Sequence, residues 1–289
     1  MPELPEVETT VRGLRKKVLR LVILDVWTDL KTKDPRKKDT VANPNYFSVF
    51  KKEVKNRKII SIERKAKNIL INLSGNKTIL IHLKLTGYLF YGNNKNIDYA
   101  HVIFTLSNPN KRASKKYLIL SDMRKFGKIT LLNTNELEKS KHLLNIGPDP
   151  LEKNFNLEKL KEVLNKKPNG KIKTVLMDQS IIAGIGNIYS DEILWYAGIH
   201  PERKISKIKP EEFKKILKYI KETLLKGIRF GGDSMSDYKN INGLPGKFQL
   251  KHQAYQRTGE KCRKKNCGGV IIRKIINNRS AHFCSKHQK

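Results

Sequence analysis

Near Asn133 the hydrophobic periodicity of these 289 residues turns from strand-like to helical, and that change constrains the fold more than any other feature. From Leu21 to about Leu132 the apolar residues come in short β-branched runs, VILDVW, IISIER, ILINL, TILIHL, HVIFTL, YLILSD and KITLL, separated by turns rich in Gly, Asn, Asp and Lys. Runs of this length closed by turn residues predict many short strands, and so a sandwich or a barrel. Beyond Asn133 the spacing becomes helical. NELEKSKHLL, NLEKLKEVLNK, KTVLMDQSII, NIYSDEILWYAG and EEFKKILKYIKETLLKGI follow a helical period, and Pro148, Pro150, Pro168 and Pro201 punctuate the gaps. Ahead of the strands, Leu4, Val7, Val11, Leu14 and Val18 share one face of a helix over residues 3–20, whose early acids complement the positive end of its dipole. We expect a sheet domain over 1–134, a helical domain over 135–247 and a finger over 248–289. Residues 231–247, rich in Gly, Ser, Asn and Asp without a clear period, read as a mobile loop.

The tail holds all three cysteines. Cys262 and Cys267 have four residues between them, Cys284 and His287 have two, and the sixteen residues between the pairs carry the strand-turn-strand pattern VIIRKIINNRSAHF. Three thiolates and an imidazole at this spacing predict one tetrahedral, structural zinc ion. With four protein ligands no position stays open for water, so the ion would fix the fold of a tail too small for its own core and do no chemistry. His282 is the rival for the fourth position, but it lies inside the second strand. The turn at Asn277, Asn278 and Arg279 would present a guanidinium at the tip of the finger. Cysteines confined to one tail make no disulfide framework, and no signal-peptide pattern opens the chain, so a reducing, cytoplasmic setting is expected.

Charge points to the partner. The chain has 60 Lys and Arg against 27 Asp and Glu, a net charge of +33. Such an excess repels itself in the compact state, and nucleic-acid phosphates are the usual reason to tolerate it. An anionic membrane is the competing partner, yet no run of 18 apolar residues exists and no long basic amphipathic helix dominates. A nucleic acid is therefore expected, bound by a monomer, with no membrane involved.

The N-terminus adds a reagent. Pro at position 2 permits removal of the initiator Met and would leave a free secondary amine, a group that titrates near pH 8 and so is partly neutral and nucleophilic at physiological pH. Condensed with a sugar aldehyde carbon, that amine gives a cationic iminium, an electron sink for elimination. Glu3 could protonate the sugar ring oxygen, and Glu6 lies one helical turn beyond it. An N-terminal Pro and first-turn acids also occur for reasons of processing and capping alone, so these residues permit the chemistry without requiring it.

The opening MPELPEVETTVRGL and the finger ending NNRSAHFC resemble the formamidopyrimidine-DNA glycosylase family, with RKAKNILINL, LIHLKLTGYL, SDMRKFGKI, NIGPDPL and KTVLMDQSIIAGIGNIYSDEILWYAGIHP matching in order between them. The resemblance covers essentially the whole chain. It implies an α+β multidomain protein: an N-terminal helix on a two-sheet β-sandwich, a helix-two-turn-helix domain and a zinc hairpin, with damaged double-stranded DNA in the cleft between the two bodies. By the same resemblance Pro2 is the Schiff-base nucleophile, Glu3 the proton donor, Lys67 the lysine of β-elimination, and Arg279 the finger-tip arginine of phosphate binding and δ-elimination. His82 and Asn187 match phosphate ligands, Gly184 and Gly186 leaving room for DNA beside the latter. Tyr99 is counted with the DNA-binding residues. Arg124 and Phe126 match side chains that fill the hole left by an extruded base, and Leu85 stands where a methionine is usual. The first cysteine pair has four intervening residues where two are usual, and His287 replaces the fourth cysteine. The segment 231–247, which in relatives covers the extruded base, matches least well. The implied activity is excision of oxidised purines (formamidopyrimidine, 8-oxoguanine) followed by β,δ-elimination. Rival readings are the same chemistry on oxidised pyrimidines, as in the endonuclease VIII branch, and a zinc-ribbon DNA-binding protein without catalysis.

Overall fold

The structure, a computed structural model, describes residues 1–109, 115–235 and 237–289. It divides into two compact units, Met1–Leu144 with Phe230–Lys247, and Asn145–Arg229 with Phe248–Lys289. In the first unit helix α1 (Leu4–Lys17) precedes β1 (Val22–Thr28), helix α2 (Pro44–Val54), and strands β2 (Ile59–Lys65), β3 (Asn68–Leu73), β4 (Lys77–His82), β5 (Tyr88–Gly92), β6 (Ala100–Ser107), β7 (Lys116–Ser121) and β8 (Lys128–Asn133). The strands form two antiparallel four-stranded sheets, ordered β1-β6-β7-β5 and β2-β3-β4-β8. Ile23, Val26, Val102, Phe104 and Leu120 of one sheet share a single buried core with Ile62, Ile69, Ile79 and Ile81 of the other. Val7, Val11 and Leu14 of α1 and Phe50 and Val54 of α2 join the same core. Each such burial contributes about 1.5–3 kcal/mol. Of the two architectures open to so many short strands, the sandwich forms.

Two stretches differ from the sequence pattern. Helix α2 lies inside the region read as strands: Asn43 caps it by accepting the Tyr46 N–H at 3.0 Å, and Pro44 opens its first turn. The run after Asn133, read as a helix, is a short 3₁₀ turn over Thr134–Lys139 that leaves Leu144 63% exposed. Its apolar residues are too few to bury a helical face.

The second unit contains α3 (Leu157–Leu164), α4 (Ile172–Met177), α5 (Asn187–Ala197), α6 (Pro210–Arg229) and the hairpin β9 (Ile271–Ile276) and β10 (Arg279–Cys284). Buried charge fastens the tail to α5. Lys173 and Asp191, each 1% exposed, pair at 2.5 Å, and the second Asp191 oxygen accepts the His282 backbone N–H at 2.9 Å. The adjacent Glu192 carboxylate accepts the N–H groups of Gln253, Ala254 and Tyr255 at 2.8, 2.9 and 2.9 Å.

Residues 230–247, joined by chain order to the helical segment, cluster with the first unit instead. The Asp233 N–H donates to Glu6 Oε1 at 2.8 Å, the Tyr238 hydroxyl to the Glu6 carbonyl at 3.0 Å, and the Tyr91 N–H to the Ile241 carbonyl at 2.8 Å. Among the described residues, no helix is long and apolar enough to cross a membrane.

Candidate functional site

Pro2 and Glu3 stand immediately before α1, both buried. Glu3 adopts an extended backbone as the N-cap residue, and its N–H donates to Glu6 Oε2 at 2.6 Å, so the two acids are locked in a reciprocal first turn. Pro5 falls in the first helical turn, where a missing N–H costs nothing. With its other oxygen on the Asp233 N–H, Glu6 fixes the start of the chain to the 231–247 segment. Gly232 makes that approach feasible: at φ +88° it occupies the left-handed region, and a Cβ there would sit 3.0 Å from Glu6 Cγ. Ser236 of this segment lies outside the described residues.

Lys67 lies in the tight turn from β2 to β3, 6% exposed, next to the pairing of Asn68 with His82. The His82 ring is a neutral group in a basic neighbourhood. Burial, then the charges of Lys84, Lys67 and Lys128, push its pKa down to about 3. Its Nδ1 accepts the Lys84 N–H at 3.0 Å, which leaves the proton on Nε2 as a hydrogen-bond donor.

Two short turns carry the next group. Leu85, half-buried, lies in the turn after β4, and Arg124 and Phe126 lie exposed in the turn between β7 and β8, with the guanidinium 4.8 Å from the Phe126 ring centroid. Tyr99, 57% exposed with φ +56°, passes its carbonyl to the Asp122 N–H at 3.0 Å. Close by, a cavity of about 370 Å³ is walled by Thr86, Tyr88, Phe90, Tyr99, Asp237 and Lys239.

In the second unit Asn187 is the first residue of α5, behind Gly186 at the cap, and Gly184 takes φ +90°. Gln179 braces this turn, accepting the Gly184 N–H at 2.9 Å and donating to the Ile185 carbonyl at 2.7 Å. Asn187 Oδ1 is buried with no hydrogen-bond partner among the described residues, and it stands at the N-terminus of α5, the end of a helix dipole that favours an anion. Arg279 opens β10, exposed, after a two-residue turn in which Asn277 and Asn278 take φ 45° and 60°, the left-handed pair such turns require.

Cys262, Cys267, Cys284 and His287 converge so that their ligand atoms lie within 4.8 Å of one another. Cys267 and Cys284 sulfurs are 3.4 Å apart, and His287 Nδ1 is 3.4 Å from Cys262 Sγ. His287 Nε2 lies 3.0 Å from the Trp195 carbonyl, which accepts a hydrogen bond from its N–H and leaves Nδ1 as the ligand atom. Gly269 is required here, since a Cβ would come within 2.6 Å of Cys284 Sγ. His282 is turned away, its Nδ1 3.1 Å from Asp191. Donor set and tautomer both fit a metal ion.

Family models match along the chain, the formamidopyrimidine-DNA glycosylase N-terminal domain over residues 1–129 and the formamidopyrimidine-DNA glycosylase H2TH domain over 146–239. A formamidopyrimidine-DNA glycosylase of Pelotomaculum thermopropionicum is 38% identical over 291 residues, covering 100% of this chain and 99% of the relative. The chain belongs to the formamidopyrimidine-DNA glycosylase family. A second family member, from Ligilactobacillus salivarius, is 37% identical with 100% and 99% coverage. Among solved structures, the Lactococcus lactis glycosylase in complex with abasic-site DNA superposes with a TM-score of 0.86 at 30% identity over 99% of both chains. A mutant of that enzyme with DNA containing Fapy-dG gives a TM-score of 0.86 at 31% identity over 100% of both.

The expected residues divide between the two units of this glycosylase fold. Pro2, Glu3, Lys67, His82, Leu85, Tyr99, Arg124 and Phe126 fall in the first unit, and Asn187, Arg279 and the Cys-His cluster in the second. Sequence reading missed Asp122, Lys173, Asp191 and Glu192, whose carboxylates and amine are buried and bonded to elements far away in the chain. All four stand inside the matched segments SDMRKFGKI and KTVLMDQSIIAGIGNIYSDEILWYAGIHP, whose sequence carries no sign of these bonds.

Proposed function

We propose that this glycosylase removes oxidised purines, formamidopyrimidines and 8-oxoguanine among them, from double-stranded DNA and then cleaves the abasic site. Likeness over the whole chain to enzymes of that name, and to the Lactococcus lactis enzyme bound to abasic-site and Fapy-dG DNA, carries the reading. With Met1 removed, the Pro2 amine attacks the anomeric carbon of the extruded nucleotide. The bond to the base breaks, the base leaving with the electron pair and a proton, while Glu3 protonates the ring oxygen as the sugar opens to the iminium. Loss of the proton at the 2′ carbon, served by Lys67, expels the 3′ phosphate. Loss of the 4′ proton then expels the 5′ phosphate, with Arg279 holding the charge that develops. His82, Asn187 and Tyr99 bind the strand, and Leu85, Arg124 and Phe126 fill the vacated place in the duplex at a cost of a few kcal/mol for unstacking. The segment 231–247 covers the base. The protein acts as a monomer.

Zinc is the metal proposed for Cys262, Cys267, Cys284 and His287. Four protein ligands leave it a structural role, stiffening the hairpin that ends at Arg279.

Borohydride reduction in the presence of an 8-oxoguanine duplex tests the chemistry. Protein with a free Pro2 should form a stable covalent adduct, and protein extended by residues ahead of Pro2 should form none. An adduct that survives the extension would remove Pro2 from the mechanism. Preferential trapping on a thymine glycol duplex would move the substrate to oxidised pyrimidines, and absence of any adduct would favour a DNA-binding protein without catalysis.

A further inference from the structure

We infer that Asp122 is a positioning residue that holds the turns at 83–87 and 122–127 together as one rigid wedge, an inference that rests on the excision reading above. Asp122 is 1% exposed, yet among the described residues its carboxylate forms no ion pair and instead collects hydrogen bonds from both turns. Oδ1 accepts the Thr86 hydroxyl and, at 3.3 Å, the Arg124 N–H, and Oδ2 accepts the Gly127 N–H at 2.6 Å. Its own N–H donates to the Tyr99 carbonyl, and its carbonyl accepts the Lys125 N–H, both at 3.0 Å. Thr86 directly follows Leu85, and across that residue the Gly87 N–H closes on the Leu83 carbonyl at 3.2 Å. The carboxylate therefore ties the side chain of Thr86, the neighbour of Leu85, to the backbone at Arg124 and Gly127, on either side of Phe126, and the N–H of the same residue holds Tyr99.

The chemistry needs such a node. Opening a base stack costs a few kcal/mol, and a loose wedge would add the entropy of ordering three side chains at that moment. A carboxylate suits the position because it is acceptor-only and every group facing it is a donor. Gly127 belongs to the same arrangement, since a Cβ there would lie 3.2 Å from Asp122 Oδ2.

Three variants separate this role from folding alone. Asp122→Asn keeps the shape but turns an NH₂ against a donor, Thr86→Val removes the hydroxyl, and Thr86→Ser restores it. The readouts are kcat and KM for 8-oxoguanine excision from duplexes with cytosine or adenine opposite, the fluorescence of 2-aminopurine opposite the lesion, and borohydride trapping on an abasic site in single-stranded DNA, which needs no wedge. Asp122→Asn and Thr86→Val should lower duplex kcat by about tenfold or more, blunt the fluorescence rise and narrow the opposite-base preference. Single-strand trapping should stay within about twofold of wild type, and Thr86→Ser should recover duplex activity. Parallel loss on duplex and single strand, or an undiminished fluorescence rise in Asp122→Asn, would overturn the inference. Failure of the wild-type protein to trap on an abasic-site duplex would overturn the excision reading, and this inference with it.

Discussion

Replacing His82 by glutamine distinguishes two ways in which a histidine can serve a phosphate site, as a cation or as a neutral donor. Burial, with the charges of Lys84, Lys67 and Lys128 added, holds the ring's pKa near 3 against an ordinary 6.5. The folded-state value is the lower one, so the unfolded chain takes up the proton first. The native state keeps its full advantage above about pH 6.5 and loses it as pH falls toward 3. Between pH 7 and pH 5 the loss amounts to about 2 kcal/mol, from roughly 1.4 proton-titration units at about 1.4 kcal/mol each. Urea unfolding of wild type and His82→Gln at the two pH values measures it: wild type should lose about 2 kcal/mol more than the variant on acidification. DNA binding gives the functional half. A neutral imidazole releases no counterion, so His82→Gln should weaken affinity by about fivefold, the worth of one hydrogen bond, without changing the slope of log K against log salt. Lys67→Gln should reduce that slope by about 0.9. A stability gap between wild type and His82→Gln that does not vary with pH, or a slope that drops by about 0.9 in that variant, would refute a neutral ring.

Two further outcomes follow from the second unit. Glu192→Gln should cost about 2–4 kcal/mol, because an amide cannot accept from all three N–H groups of residues 253–255, and calorimetry should show a melting temperature lower by roughly 5–15 °C. A chelator should release one zinc per chain and change the fluorescence of Trp195, whose ring lies 5.2 Å from that of His287, while DNA affinity falls with the loss of the stiffened hairpin.

What could be read from the sequence depended on whether the determining interactions were local. Strands with short β-branched runs, helix α1 with Val7, Val11 and Leu14 on one face, and the Asn277–Asn278 turn each advertise themselves within a few residues, and each is present. The Cys-His cluster was legible because metal ligands obey spacing, and the tautomer of His287 adds what spacing could not. Helix α2 carried its signal in Asn43 and Pro44, overlooked amid apolar residues that suited strands equally well. Asp122, Asp191 and Glu192 were illegible for a different reason. A buried carboxylate looks like a surface one until its donors, Gly127, His282 or Ala254, are brought to it by the fold. The anchoring of residues 231–247 was hidden likewise, since composition reports only the absence of a regular period and says nothing of Glu6.

That anchoring limits how the protein can be altered. Glu6 and Asp233 are 227 positions apart, yet the carboxylate of one completes the backbone of the other, and Gly232 leaves no room for adjustment. A chimaera that takes its first twenty residues from one parent and its 230s from another would join two surfaces never selected together. Variation at the two ends of this contact should therefore be introduced as a pair, and libraries that randomise only one end should return few active clones.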